Sequence, residues 1–126
     1  MLFRSQCQPG NGCPRKFDLE VDACFALSAL PQSTVAVVHG MCFGGGAALP
    51  LYCDFRLGYP GVEFAIPEIL IGWLPAWALN RMLMTLPLPF VLEMLLSGRS
   101  CSTQEALQRA AGYNMCSLPM MMEVLL

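Results

Sequence analysis

Residues 34–46 read TVAVVHGMCFGGG, and the fold turns on how this stretch is understood. Thr34, Val35, Val37 and Val38 make a β-branched, apolar run, which predicts a strand over 34–38 buried on both faces. Gly40 interrupts it, and the glycine triplet at 44–46 predicts a helix start running towards Tyr52. Glycine has no Cβ, so a ligand can approach the backbone closely and unusual dihedrals are open. At a helix start the first N–H groups are free and the dipole favours negative charge. The turn therefore offers a seat for a phosphate or an oxyanion; without a ligand it is a tight packing turn. No Lys-Ser/Thr follows the glycines, which excludes a P-loop, and GGG lacks the G-x-G-x-x-G spacing of a dinucleotide site.

Upstream, residues 1–17 hold Pro9, Gly10, Asn11, Gly12 and Pro14 and read as loop. Apolar and acidic residues then mix over 18–30, predicting a short helix with Asp18 as N-cap and Pro31 as its stop. Downstream, a second strand is expected at about 55–58. Tyr59-Pro60-Gly61 is a turn signal, and 62–66 is another extended piece. Helices are expected over about 76–85 and 89–97, with Pro89 in a first turn and Gly98 at the C′ position. A third begins at Ser102, where Ser102 and Glu105 form a capping box, and ends at Gly112. Residues 113–126, with a Met120–Met122 run, show no clear pattern. Strand, helix, strand, then helices: the chain is α/β, read as one partial domain over 1–126 with its core at 18–112.

Composition narrows the function. Hydrophobic residues make up 56% of the 126 and charged residues only 13%, with a mean hydropathy of +0.53. A typical soluble domain has about 25% charged residues. Such a short chain must expose apolar surface, as an inner piece of a larger fold or an obligate oligomer would. The apolar runs are broken by Pro67, Glu68, Pro75, Pro87, Pro89 and Glu93, so no stretch reaches the roughly 20 residues of a membrane span. No signal peptide is visible either. The net charge is −2 with no basic block, which gives nucleic-acid binding no support. Seven cysteines without C-x-x-C spacing read as reduced, mostly buried thiols of an intracellular protein, and the single histidine, His39, rules against a zinc pattern.

The second chemical feature is FAIPE at 64–68, followed by Gly72 and Pro75. Glu68 is an isolated acid among Ile, Leu and Trp. Apolar surroundings suit a carboxyl to exchanging protons near neutral pH; the plainer reading is an outward-pointing or paired glutamate at a helix start. Together the two features are far more specific. The stretch VAVVHGMCFGGGAALPLYCDFRLGYPGVEFAIPEILIGWLPAWALNRML resembles the enoyl-CoA hydratase/isomerase (crotonase) superfamily: H/N-G, three residues, GGG, a helix, C-D, a strand, then F-x-x-P-E-x-x-x-G-x-x-P. LLSGRSCSTQEALQRAAG resembles a further family segment, and the resemblance covers roughly 33–112.

The resemblance implies a crotonase-like β-β-α spiral, incomplete here, with N-terminal strands and C-terminal trimerisation helices largely missing. A truncated product or an incomplete gene model is one expectation, and a trimer-type homo-oligomer another. It implies an acyl-thioester substrate, carried by coenzyme A or an acyl-carrier protein, with no separate cofactor and no metal. The enolate oxygen would be held by two backbone N–H groups, from Gly45 and from an upstream loop in which Gly10 is the matching residue. Phe43, Gly44, Trp73 and Trp77 would line the acyl pocket, the tryptophans being core residues in the plainer reading. Glu68 maps onto the later of two family glutamates; the earlier maps onto Ala48, which cannot transfer a proton.

Hydration needs two proton-handling groups, so the expected reaction is double-bond isomerisation with Glu68 as the only shuttle. The alternatives are a dehydratase or decarboxylase acting on a carrier-protein thioester, or an inactive remnant. His39 and Asp54 are read as structural. Pro50 is expected either to kink the helix, at a cost of about 3 kcal/mol, or to mark a lineage no longer under catalytic constraint. The resemblance implies fatty-acid metabolism in the cytoplasm, mitochondrion or peroxisome.

Overall fold

At Gly40 the backbone takes φ +70°, and the first strand turns a corner there. The computed structural model describes residues 16–109 and 115–117. Before the corner runs β1 (Val35–Val38), and after it β2 (Met41–Phe43). The next strand does the same: β3 (Phe55–Gly58) and β4 (Glu63–Ala65) are separated by a turn containing Gly61 at φ +82°. Each bent strand therefore contributes to two sheets. One has the order β1–β3–β6, with β6 at Met115–Ser117; the other is β2–β4–β5, with β5 at Cys101–Ser102. Val35 pairs with Phe55 and Met41 with Glu63, both in parallel. This is the β-β-α arrangement the resemblance implied.

Among the described residues, five α-helices pack against these strands and turns. They are α1 (Lys16–Ser28), α2 (Gly45–Ala48), α3 (Ala76–Thr85), α4 (Leu88–Ser97) and α5 (Thr103–Arg109). Ala78 and Met82, four apart on α3, are buried, and Phe90, Val91, Met94 and Leu95 are the buried face of α4. They close on Leu51, Val62 and Ile66 to make the core. Gly98 ends α4 in the left-handed conformation and donates its N–H to Met94. Ser102 Oγ accepts the Glu105 N–H at 3.2 Å, so half of the capping box forms. The Glu105 carboxylate turns instead to Arg99 and Arg109.

Several expectations are corrected. Residues 16–18 are already helical, so Asp18 lies inside the first helix and is not its cap, and 16–17 are not loop; the loop expected over 1–15 lies outside the described residues. β1 is not buried on both faces. Val35 and Val37 are 53% and 56% exposed, and only Ala36 and Val38 face the core, because no described element packs on the other side. β2 was missed: three residues between Gly40 and Gly44 carry too little pattern. β6 was missed too, since its pairing with Arg56, Leu57 and Gly58 is entirely long-range.

Pro50 does not kink a long helix. The helix stops at Ala48 and continues as a 3-10 turn at Leu49–Tyr52, with the proline in its first turn. In an α-helix an N–H at position 50 would reach the Gly46 carbonyl; here the Cys42 thiol donates to that carbonyl at 2.9 Å. The Pro50 carbonyl accepts from the buried Arg56 guanidinium at 2.9 Å. Arg56 also donates to Cys53, which locks the end of the turn onto β3.

Candidate active site at the glycine turn

Parallel, in-register pairing of β2 with β4 decides where the chemistry gathers. Phe43 lies beside Ala65, so the turn after β2 and the turn after β4 emerge side by side. Gly44 donates its N–H to the Ala65 carbonyl at 2.9 Å, extending the ladder by one bond, and then swings to φ +59°. Its carbonyl accepts the N–H groups of Ala47 and Ala48 as the first of α2. The N–H groups of Gly45 and Gly46 come next, and neither has an acceptor among the described residues.

On the other side, Pro67 opens a 3-10 turn at Pro67–Ile71, and Glu68 is its second residue. Gly72 closes the turn at φ +72°, and Trp73 donates its N–H back to the Glu68 carbonyl at 3.0 Å. The Glu68 carbonyl is thus held by the N–H groups that close the turn. Its Oε1 lies 2.5 Å from the point where a Cβ on Gly44 would stand. The carboxylate therefore occupies the space that a side chain on Gly44 would take. Its Oε2 is buried and has no hydrogen-bond partner among the described residues. Such an oxygen costs about 1–3 kcal/mol to leave unsatisfied, so it is held ready for an incoming donor.

Of the residues singled out from the sequence, the structure brings together Gly44, Gly45 and Glu68. Phe43 is exposed beside them, as is Trp73. Trp77 packs on the core, its ring centroid 6.4 Å from that of Tyr52, as the core reading of the tryptophans has it. Gly10 lies outside the described residues. Ala48 is fully buried, and a methyl group there carries no proton. Asp54 does the structural work expected: its Oδ2 accepts the N–H and hydroxyl of Thr34, tying the start of β3 to the start of β1. Those bonds hold its carboxyl below the usual range. Cys42 is the cysteine nearest the turn; burial pushes its thiol up to about 11, so it is a neutral donor and not a nucleophile.

Sequence reading passed over one residue. Glu20 lies on α1 with its carboxylate oxygens 3.7 and 3.8 Å from the Cβ position of Gly45. The available signal was its i, i+4 spacing to the buried Cys24, which puts an acid on the inward stripe of a helix. A cleft of about 590 Å³ lies elsewhere, at the beginnings of β1 and β3, lined by Pro31, Asp54, Arg56 and Arg81 among others. None of the turn residues borders it.

Comparison with known proteins bears on this geometry. The family described as enoyl-CoA hydratase/isomerase matches residues 16–118. Among relatives, mitochondrial enoyl-CoA hydratase of Pongo abelii is 34% identical over 98 residues, covering 77% of this chain and 34% of that protein. Carnitinyl-CoA dehydratase of Salmonella paratyphi B is 38% identical over 80 residues, covering 63% of this chain and 31% of that protein. The chain thus spans about a third of these relatives' length. Among solved structures, an enoyl-CoA hydratase from Bacillus anthracis superposes with TM-score 0.75 at 23% identity, covering 86% of this chain and 43% of that one. Human enoyl-CoA hydratase domain-containing protein 3 superposes with TM-score 0.74 at 23% identity, with the same coverage. The fold is therefore crotonase-like α/β.

Proposed function

The chain belongs to the enoyl-CoA hydratase/isomerase family, and on that premise we propose that its glycine turn moves a double bond in an acyl thioester through an enolate. The observation that carries this reading is the Glu68 carboxylate seated over Gly44, with one buried oxygen unpartnered among the described residues, and beside it Gly45, whose N–H has no acceptor among them. The thioester carbonyl oxygen takes the Gly45 N–H. Glu68 removes a proton from C2 of a 3-enoyl thioester, the negative charge collects on the carbonyl oxygen, and the same proton returns at C4. The C3–C4 double bond becomes C2–C3, and no atom is gained or lost. Backbone donors aimed at the oxygen where charge develops supply the main stabilisation. A positioned carboxylate adds about 10²–10⁴-fold.

Nothing in this step calls for a cofactor beyond the carrier thiol. Coenzyme A is the carrier that the relatives' names favour over a carrier protein. The second oxyanion donor, and the wall of the acyl pocket beyond Phe43 and Trp73, would come from residues outside those described or from neighbouring copies in a trimer-type assembly. The mitochondrial relative, together with one named as subunit alpha of a fatty acid oxidation complex in Vibrio parahaemolyticus, favours a place in fatty-acid oxidation. No helix among the described residues is long and apolar enough to cross a membrane.

The test is isomerisation of a 3-enoyl-CoA by the full chain and by Glu68→Gln. A rate at least about 100-fold lower in the variant is expected. A rate indifferent to the substitution overturns the reading.

A further inference from the structure

Glu20 reaches the same turn from a different element. On consecutive residues, the Cβ direction of Gly44 meets the Glu68 carboxylate and that of Gly45 meets the Glu20 carboxylate. Glu20 is half-buried and makes no hydrogen bond or ion pair with any described residue. Its charge faces the packed side of α1: Cys24, one turn along, is 2% exposed. Burial first, and the Glu20 charge second, push the Cys24 thiol up to about 11. An acid on the inward stripe of a helix, lying against a glycine with no partner of its own, contributes nothing to packing that Leu or Met would not do better. Meanwhile position 48, inside α2, holds only a buried methyl group.

We propose that Glu20 is a second catalytic carboxylate of the glycine turn, so that the site adds water to a 2-enoyl thioester as well as shifting a double bond. This rests on the function proposed above and extends it. In the added reaction Glu20 takes a proton from water as the water oxygen bonds to C3. The π pair of the C2–C3 bond moves through C2 onto the carbonyl oxygen at the Gly45 N–H. Glu68, protonated at the outset, then delivers its proton to C2. One water is consumed and a 3-hydroxyacyl thioester forms. The two carboxyls have exchanged protonation states, and exchange with solvent restores them.

The experiment measures hydration of a 2-enoyl-CoA and isomerisation of a 3-enoyl-CoA by the full chain, Glu20→Gln, Glu20→Asp, Glu68→Gln and Asp22→Asn. Asp22 is an exposed acid on the same helix and serves as control. The proposal expects hydration by the unsubstituted chain and a hydration-to-isomerisation ratio at least 30-fold lower in Glu20→Gln. It also expects partial recovery in Glu20→Asp and no change in Asp22→Asn. Isomerisation without hydration in the unsubstituted chain overturns the role of Glu20 and leaves Glu68 standing. An unchanged ratio in Glu20→Gln, whether both rates fall or neither does, also overturns it. Turnover that survives Glu68→Gln, or no turnover on either substrate, removes the glycine-turn site itself and this inference with it.

Discussion

Gly44 is where conformation and chemistry meet. Its φ of +59° disfavours any L side chain by about 1–2 kcal/mol, and a Cβ would stand 2.5 Å from Glu68 Oε1. The backbone cost cannot be avoided, but the clash is with the far end of a flexible side chain, which can swing away. Gly44→Ala should therefore lower the melting temperature modestly while reducing isomerisation about as far as Glu68→Gln does, because the carboxylate is displaced. Thermal unfolding and a rate assay on the same sample separate the two effects. A second prediction concerns Cys42, whose thiol serves the carbonyl that Pro50 cannot. Cys42→Ala should cost about 1 kcal/mol. The cost should shrink when Pro50→Ala restores an N–H nearby, giving a coupling of about 0.5 kcal/mol in a double-mutant cycle by denaturant unfolding. Glu68 and Gly45 were legible as residues, since each departs sharply from its apolar surroundings. Glu20 was not, because a glutamate in an amphipathic helix looks ordinary until the facing backbone is known.

Among the elements, the junction of α4 and α5 is fixed by two devices of different kinds. Gly98 adopts φ +64°, and a Cβ there would come within 2.9 Å of Leu70 Cγ and 3.2 Å of Ile69 Cγ2. Gly98→Ala should thus cost about 2 kcal/mol and lower the melting temperature by about 10 °C. The other device is the network of Glu93, Arg99, Glu105 and Arg109. Hydrogen bonds from Arg99, then those from Arg109, hold the Glu105 carboxyl down at about 2, against an ordinary 4.5. A depressed folded-state value gives stability that is present above the unfolded value and lost as pH falls through the folded one. The melting temperature should therefore drop between about pH 4.5 and 2, and the drop should be shallower in Glu105→Gln. The expected helices near 76–85 and 89–97 match α3 and α4 to within a residue, because proline and glycine punctuate them. β2 and β6 have only three residues each, too few for flanking glycine or proline to mark them as strands.

At the scale of the whole molecule, the apolar excess in the composition appears as surface. Met41, Ile71, Leu96, Met84 and Leu70 are each 70% exposed or more. β1 and β2, the two halves of the first bent strand, each pair on one side only among the described residues. Both features favour association. The isolated chain should bind a hydrophobic dye and sediment as more than a monomer at micromolar concentration. Ile71→Lys combined with Leu96→Lys should reduce both signals, and a monodisperse monomer without dye binding would contradict this account.

The sequence by itself determined the class of chemistry. A glycine triplet after a β-branched run and an acid after a proline are local patterns, each with its own physical reason, and their order and spacing pointed to the family. Local pattern also placed most helices, because helix ends are written in neighbouring residues. Tertiary structure alone decided that Gly40 splits one strand between two sheets, and that β2 and β4 pair in parallel register. It also decided that a carboxylate from α1 lies against Gly45. Each of these depends on pairings between residues twenty or more apart, where register is set by what the opposite faces can bury and not by any residue's neighbours.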